Sequence, residues 1–338
     1  MKYLGEALTY KDVALVPQYN NVASRTEPSL ETYLTKDITM KLPFLAANMD
    51  TVISEDLAKV LIDNGIIPIW HRFSDTFDLI RIANTYNNKI FMSIGVNENF
   101  EFIRELYDCG VLGFCVDVAH GHSLSVIRLI EKLKKELPKA QIIAGSVCTP
   151  GGYVDLVNAG ADAVRCGIGN GSICITRKVT GFGSPQFSAL LNCCEEAEKY
   201  RVPVIADGGI EGPDDIAKAL AAGACSVMCG KLFGRTVESA AKKSEIEGEK
   251  YAWIRGQASK DFQVDFKGGL KPGTVPEGEA FWVKCSGTAQ EKIDELAGSI
   301  RSAFTYGGAR CLKEFQRKAA YVKVMPESYS KESNTRRD

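Results

Sequence analysis

Short apolar runs recur along the chain, and each is followed by a longer amphipathic stretch. Eight of the runs are continuous rather than alternating, which is typical of strands in a parallel sheet covered on both faces. These runs predict strands at 44–49, 66–70, 91–96, 113–118, 141–147, 163–168, 202–206 and 226–229. The stretches between them repeat apolar residues with helical periodicity. Clear examples predict helices at 55–64, 124–136, 187–200 and 214–222.

Alternating strands and helices in this number predict an α/β fold. Eight βα units close most naturally into a (β/α)8 TIM barrel, and an open doubly wound sheet is the alternative that the pattern leaves. A barrel of this kind accommodates the 338 residues as one domain. We therefore predict a single barrel domain at 1–324, followed by a disordered polar tail at 325–338 with few apolar residues.

Composition excludes several classes of protein. The formal net charge of −1 gives no electrostatic reason to expect a nucleic acid or an anionic membrane as partner. The chain has no apolar run near the ~20 residues of a membrane span, and its start, MKYLGEALTY, has no signal-peptide core. Its 11 cysteines are irregularly spaced without a CxxC motif, which fits neither a disulfide framework nor a zinc site. We predict buried thiols in a reducing compartment, and hence a cytoplasmic protein.

The segment 167–186, GIGNGSICITRKVTGFGSPQ, carries the strongest candidate chemistry. Its glycines, at 167, 169, 171, 181 and 183, allow positive φ and a close approach of the backbone to a ligand. They leave Cys174 without bulky neighbours, and Thr176 places a hydroxyl two residues further on. A nucleophilic cysteine is presented in this way. From composition alone, a surface loop with an incidental cysteine fits equally well.

The order of residues in this segment resembles the catalytic loop of the IMP dehydrogenase/GMP reductase family. Other segments resemble the family in the same order along the chain, and together they span 7–324. They are ALTYKDVALVP (7–17), SRTEP (24–28), LPFLAANMDTV (42–52), HRF (71–73), VDVAHGHS (116–123), AGSVCTPGG (144–152), VIADGGIEGPDDIAKALAAGA (204–224), VMCGKLFGRTVES (227–239) and SIRSAFTYGGA (299–309). Members of the family often carry a regulatory (CBS) domain after the second strand. Only 71–90 separate the second and third apolar runs here, so no inserted domain is expected.

The resemblance implies a nucleotide site at the carboxyl ends of the barrel strands, where phosphate commonly binds after strands seven and eight. Cys174 would attack C2 of a purine nucleotide, with Thr176 and Glu277 handling protons. Asp207 would hold the ribose hydroxyls. Lys231, which stands where the family usually has Gly or Ser, would add charge at the phosphate. The phosphate itself would be bound by Ser172, Gly208, Gly209 and Gly230, and the nucleotide site would further include Asn48, Gly256 and Gly278.

The resemblance also implies ligands beside the nucleotide. A nicotinamide cofactor, NADPH, would contact residues from several segments: Ser24, Arg25, His71, Asp117, Val118, Ala119, Ile168 and Gly169. For His71, a buried structural histidine is the alternative. A K⁺ ion would be bound by the carbonyls of Gly169, Gly171 and Cys174, and Arg177 matches the same motif. His120 and His122 lie two residues apart without a carboxylate or thiol partner, so they are not predicted to bind zinc.

The segment 256–282, which we call the flap, separates the two branches of the family. Dehydrogenases carry an Arg-Tyr pair there as the base that activates water, and this flap has no such pair. Reductases carry a Glu, which Glu277 matches, although its surrounding PEG also occurs in some bacterial dehydrogenases. Asn48 and the stretch TRKVTGFGSPQ also resemble the reductases. Asn170 departs from the family, because it replaces a Pro that would fix φ in the loop.

These features together predict a reductase that uses NADPH to convert GMP into IMP and ammonia through a covalent cysteine thioimidate, in purine salvage. The alternatives are a dehydrogenase that converts IMP, NAD⁺ and water into XMP and NADH, or a paralogue that binds a purine nucleotide without turnover. The intact Cys174, Thr176 and Glu277 favour an enzyme over such a paralogue. Barrels that bind flavins or sugar phosphates share the phosphate loops but not the cysteine loop. By the same resemblance, we expect a homotetramer.

Overall fold

The chain folds into a parallel barrel whose strands follow one another in chain order. A computed structural model describes residues 5–325. The barrel strands are β1 (Phe44–Ala46), β2 (Ile69–Trp70), β3 (Phe91–Ile94), β4 (Gly113–Val116), β5 (Gln141–Val147), β6 (Ala163–Cys166), β7 (Val204–Asp207) and β8 (Ser226–Cys229). Parallel ladders join β1 to β8, β8 to β7, and so on round to β2. Within 5–325, β1 and β2 are the neighbouring pair without a ladder, so the barrel is nearly closed.

The predicted (β/α)8 barrel is therefore confirmed, and the alternative of an open doubly wound sheet is wrong. Every predicted strand is present, and β2 begins only after Pro68, which lacks the N–H that a ladder needs. The four predicted helices begin and end within one residue of their expected bounds. The helices are α1 (Glu55–Asp63), α2 (Thr76–Tyr86), α3 (Phe100–Asp108), α4 (Leu124–Glu136), α5 (Pro150–Asn158), α6 (Thr176–Thr180), α7 (Gln186–Tyr200), α8 (Pro213–Ala221), α9 (Lys231–Gly234), α10 (Lys260–Lys267), α11 (Ala289–Tyr306) and α12 (Leu312–Lys318).

Local caps set where the outer helices begin. The Ser54 hydroxyl accepts a hydrogen bond from the N–H of Leu57 at 3.0 Å and caps α1. The Thr149 hydroxyl caps α5 in the same way, and α8 begins with Pro213. A capping hydroxyl accepts a hydrogen bond from a free N–H group of the first helical turn. A proline at the start of a helix has no N–H that needs a partner. The βα loops therefore end at defined positions, which places the side chains that precede each helix.

The core lies inside the barrel and between the barrel and its helices. Phe44, Phe91 and Phe114 of the strands are fully buried, as are Phe187 of α7 and Phe233 of α9. Continuous burial along β3, β4, β6 and β8 explains why apolar residues stand at consecutive positions of these strands rather than only at alternate ones. The exceptions are three buried polar side chains: Ser93 in β3, Arg165 in β6 and Ser226 in β8.

The flap belongs to a second, antiparallel sheet that the apolar pattern did not predict. Its strands are β9 (Lys242–Ile246), β10 (Glu249–Arg255) and β11 (Ala280–Lys284), and α10 lies between β10 and β11. Arg255 ties this sheet to the barrel, because its guanidinium lies 2.8 Å from Asp50 and also pairs with Asp265 of α10. The same guanidinium lies 5.4 Å from the ring centre of Phe262. These contacts hold the flap at the mouth of the barrel.

Two short antiparallel pairs complete the described chain. Val13–Leu15 pairs with Tyr321–Lys323, and Thr32–Tyr33 pairs with Thr39–Met40.

None of the helices within 5–325 is long and apolar enough to cross a membrane. The predicted domain, 1–324, lies within the described residues apart from its first four. The predicted disordered tail, 325–338, lies outside them apart from Met325.

Candidate active site

A cavity of about 400 Å³ lies at the carboxyl ends of the barrel strands. Residues that end or follow β1, β4, β6 and β7 form its floor, among them Asn48, Asp117 and Asp207. The flap supplies the opposite wall through Gly256, α10 and Glu277. Active sites of (β/α)8 barrels are built from βα loops at this end, so the cavity lies where the fold places chemistry.

The loop after β6 carries Cys174 into the cavity. Its first residue, Gly167, has φ of 150°, and a Cβ there would lie 1.8 Å from the carbonyl oxygen of Asp207. Only glycine fits such a position, so the loop can leave β6 directly against β7. Gly169, Gly181 and Gly183 also have positive φ, whereas Gly171 does not. Cys174 is half-buried and lines the cavity.

A chain of hydrogen bonds joins three side chains beside the cavity. The thiol of Cys174 donates to the hydroxyl oxygen of Thr176 at 3.2 Å. That hydroxyl donates to the Glu277 carboxylate at 2.9 Å. All three residues line the cavity, so the chain connects the thiol to an acid–base group across the site.

Backbone pairing holds Glu277 in this position. The N–H of Ile175 donates to the carbonyl of Glu277 at 2.9 Å, and the N–H of Glu279 donates to the carbonyl of Ile173 at 2.8 Å. The N–H of Glu277 donates to the carbonyl of Ala258 at 3.0 Å, within the flap. The returning flap segment is thus paired with the cysteine loop on one side and with the start of the flap on the other.

Asn170 anchors the loop through its side chain. Its amide donates to Oε1 of Gln186, the first residue of α7. Gln186 is 3% exposed, and its own amide donates to the carbonyls of Cys166 at 2.7 Å and Asp207 at 3.2 Å. The departure from proline at this position is therefore accompanied by a side-chain tie between the loop and the ends of β6 and β7.

Two polar side chains of the predicted nucleotide site are fixed by the barrel. The side-chain amide of Asn48 donates to the hydroxyl of Ser93 in β3 at 2.8 Å, and the backbone carbonyl of Asn48 accepts from the side-chain amide of Gln257 in the flap at 2.9 Å. One oxygen of Asp207 accepts hydrogen bonds from Ser146 and Arg165. Both side chains reach the cavity with their orientations set by protein contacts.

The structure brings most of the predicted site residues together. Those that line the cavity are Asn48, Asp117, Val118, Ala119, Ile168, Gly169, Gly171, Cys174, Thr176, Asp207, Gly208, Gly256, Glu277 and Gly278. The others lie outside its lining: Ser24, Arg25, His71, Ser172, Arg177, Gly209, Gly230 and Lys231. Arg177 nevertheless lies next to a residue of the lining, because a Cβ added to Gly169 would lie 2.6 Å from Cγ of Arg177. Ser24 lies in an exposed turn, where its hydroxyl contacts that of Thr26 at 2.8 Å.

The histidines do not form a metal site. His71 is 7% exposed, its Nδ1 accepts the N–H of Phe73 at 3.1 Å, and burial lowers its pKa to about 4. These contacts suit a neutral structural histidine. His122 lies 2.7 Å from the Asp155 carboxylate. Among residues 5–325, no cluster of three or more His, Cys, Asp or Glu side chains could hold a metal ion.

Several cavity residues were not predicted from the sequence. They include Arg72, Phe73, Ser146, Arg165, Gln257 and Lys267. Arg165 carried a signal, since it is a charge inside the apolar run AVRCGI, and Arg72 lies within the quoted HRF. Lys267 carried none. Partial burial, with the charges of Arg72 and Lys271, lowers the pKa of Lys267. Lys267 and Arg72 are two basic side chains in the lining of the cavity.

Comparison with known proteins identifies the family of this chain. The model of the IMP dehydrogenase/GMP reductase domain matches residues 7–335. A GMP reductase of Streptococcus suis is 39% identical over 306 residues, which cover 89% of this chain and 90% of that protein. A GMP reductase of Staphylococcus epidermidis is 38% identical, covering 91% of this chain and 93% of that protein. An inosine-5′-monophosphate dehydrogenase of Cryptosporidium parvum is 33% identical, covering 96% and 93%. The chain therefore belongs to the IMP dehydrogenase/GMP reductase family.

Proposed function

We propose that this protein is a GMP reductase, which converts GMP into IMP and ammonia with NADPH in purine salvage. The observation that carries the proposal is the hydrogen-bond chain from Cys174 through Thr176 to Glu277. It joins a thiol nucleophile to a carboxylate that can accept and return a proton. The flap has no Arg-Tyr pair to activate water, and GMP reductases are among the relatives with 38–39% identity.

The three side chains can remove the amino group without a proton from solvent. The Cys174 thiol passes its proton to Thr176, whose own proton moves to Glu277, and the sulfur forms a bond to C2 of GMP. The protonated Glu277 then gives this proton, through the Thr176 hydroxyl, to the C2 amino group, which leaves as ammonia. The C–N bond breaks, the C–S bond remains, and the nucleotide is held as a thioimidate on Cys174.

The cofactor, when bound, supplies a hydride to C2. The cavity extends past Cys174 to Asp117, Val118 and Ala119, which together with Ile168 and Gly169 would hold the nicotinamide half. The basic side chains of Arg72 and Lys267 in the cavity lining suit the negative charge of a phosphorylated cofactor. As C2 gains hydride, the C–S bond breaks, and a solvent proton restores the Cys174 thiol.

We also propose that K⁺ binds in the cysteine loop. Within residues 5–325, the carbonyls of Gly169 and Cys174 accept no hydrogen bond, while that of Gly171 accepts the N–H of Cys174 at 3.0 Å. Free carbonyl oxygens are suitable ligands for such a cation. Arg177 packs against this loop. Activity measured in K⁺ and in Li⁺ chloride at equal ionic strength tests the site, and equal rates would contradict it.

The decisive experiment is an absorbance assay at 340 nm with the purified full chain. NADPH with GMP should give steady oxidation and one ammonia per turnover, whereas NAD⁺ with IMP should give little NADH. Without the base of the dehydrogenase flap, water attacks the covalent intermediate slowly. Robust XMP production from IMP and NAD⁺ would instead assign the dehydrogenase reaction, which the similarity to the Cryptosporidium protein makes the second candidate. Nucleotide binding without turnover in either assay would assign a non-catalytic paralogue.

The cellular setting follows the same proposal. We propose a homotetramer that acts in the cytoplasm on small nucleotides, with neither nucleic acid nor membrane as partner. All 11 cysteines are free thiols, which suits a reducing compartment. Sedimentation velocity at micromolar concentration tests the oligomer, and a stable monomer or dimer would contradict it.

A further inference from the structure

Arg165 is a charged side chain enclosed by the barrel, and the family resemblance assigned it no role. Its Nε and Nη2 donate to Oδ2 of Asp207 at 3.1 and 2.8 Å. Its Nη1 lies 3.5 Å from Oδ1 of Asp117. Burial by itself lowers the pKa of Arg165, but the charges of Asp207, Cys115 and Asp117 raise it well above its ordinary value. The guanidinium therefore stays charged between two carboxylates of the cavity.

The donors that reach Asp207 all converge on one of its two oxygens. Ser146 donates to the same Oδ2 at 3.0 Å. Within the described residues, Oδ1 of Asp207 accepts no hydrogen bond from the protein. Asp207 lines the cavity with 21% of its side chain exposed. One oxygen is thus held by the barrel, and the other is left for a ligand.

We propose that Arg165 is a positioning residue whose guanidinium fork orients Asp207 so that Oδ1 meets the ribose hydroxyls of the nucleotide. The inference rests on the proposed function, because it takes the assignment of Asp207 to the ribose from there. A rigid fork with two N–H groups on one oxygen fixes the rotation of a carboxylate, which a single ammonium cannot do. Asp207 then needs no reordering when the nucleotide binds.

The test compares GMP with 2′,3′-dideoxy-GMP, which lacks both ribose hydroxyls, by calorimetric titration without cofactor. Wild type should bind GMP about 10- to 100-fold more tightly than the dideoxy analogue, because hydrogen bonds to a charged acceptor contribute that much to affinity. Arg165→Lys keeps the charge and loses the fork. It should reduce the preference to about threefold or less, through weaker GMP binding with little change for the dideoxy analogue. If Arg165 had only a structural role, the substitution would weaken the binding of both ligands equally, and that result would overturn the proposal.

Two further variants separate the possible failures. Asp207→Asn should abolish the preference for GMP. If it does not, Asp207 does not bind the ribose, and both the assignment and the inference fall. If it does, while Arg165→Lys keeps the wild-type preference, only the inference falls. Arg165→Gln, which has one amide group and no charge, is measured as well in case Arg165→Lys does not fold. If Arg165→Gln keeps the wild-type preference for GMP, that result also contradicts the inference. If only the reaction were assigned wrongly, the expected preferences would be unchanged, since IMP, XMP and GMP share the same ribose.

Discussion

The hydroxyl of Thr176 donates to the carboxylate of Glu277 at 2.9 Å, although the two residues lie 101 positions apart in the chain. Thr176 begins α6 in the cysteine loop, and Glu277 lies on the returning flap. Two backbone hydrogen bonds between loop and flap bring them together. The flap therefore contributes an acid–base group to the site as well as covering it. Any motion that lifts the flap also removes Glu277 from the thiol.

Replacing Cys174 by Ala should lower turnover by about three orders of magnitude or more, because a covalent nucleophile is lost. Binding of GMP should remain nearly intact, since the rest of the cavity is unchanged. NADPH oxidation and calorimetric titration of GMP measure the two effects. Cys311→Ala is the matched control, because Cys311 is also half-buried but lies outside the cavity lining. Activity above a few per cent of wild type in Cys174→Ala would exclude the covalent role.

Replacing Glu277 by Gln should separate proton handling from hydride transfer. The amide keeps the size of the side chain but cannot shuttle the proton that ammonia release requires. Hydride transfer depends on alignment of the two ligands. The variant should lose GMP deamination and still form one equivalent of NADPH from IMP and NADP⁺, with the thiol proton leaving to water. Single-turnover measurements of ammonia and of absorbance at 340 nm check both half-reactions.

The control for this variant is Glu279→Gln, an exposed carboxylate two residues further along the flap. It should keep both half-reactions. Thr176→Val interrupts the same hydrogen-bond chain and should behave like Glu277→Gln, whereas Thr176→Ser should restore deamination. Equal loss of both half-reactions in Glu277→Gln would indicate a misplaced flap, and normal rates in both would make Glu277 an uninvolved surface carboxylate.

Replacing Asn170 by Ala should loosen the cysteine loop. The change removes the hydrogen bond to the buried Gln186 and should lower the free energy of unfolding by about 1 kcal/mol and kcat by severalfold. Asn170→Pro should recover part of kcat, because proline restricts φ where the asparagine side chain no longer ties the loop. Urea denaturation and NADPH oxidation measure both quantities. If Ala at this position matches wild type in both, the side-chain tie is without consequence.

His71 should make the chain less stable in mild acid. Burial lowers its pKa to about 4, whereas the unfolded chain binds a proton below about pH 6.5. Above pH 6.5 neither state is protonated, and the contribution of His71 does not vary. Between pH 6.5 and 4 only the unfolded state takes up the proton, so the free energy of unfolding should fall by up to about 3 kcal/mol.

His71→Asn removes this titration while its carbonyl can still accept the N–H of Phe73. Its free energy of unfolding should therefore fall less steeply with acid than that of wild type. Urea denaturation at several pH values between 4 and 7.5 gives the two curves. Parallel curves would show that His71 is protonated in the folded state over this range.

The barrel and its cysteine loop could be predicted because their signals are local. A strand buried on both faces needs apolar side chains at consecutive positions, so β1 to β8 are visible in the sequence one at a time. Eight such runs with helices between them leave few ways to close a sheet. The glycines around Cys174 are equally local, because a backbone that passes within van der Waals contact of β7 at Gly167 tolerates no side chain.

By itself, then, the sequence determined the family and the barrel, and by resemblance it pointed to Cys174, Thr176 and Glu277. Only the tertiary structure decided which side chains touch. No periodic pattern in the sequence indicated the sheet of β9, β10 and β11 or the helix α10 that connects two of its strands. The hydrogen bond between Asn170 and Gln186 had no such signal either. Arg165 and Asp207 lie 42 positions apart on neighbouring strands, and they meet because the parallel ladder between β6 and β7 sets their register. Local patterns report how much of a residue is buried, whereas the partner of a buried charge depends on how distant segments pack.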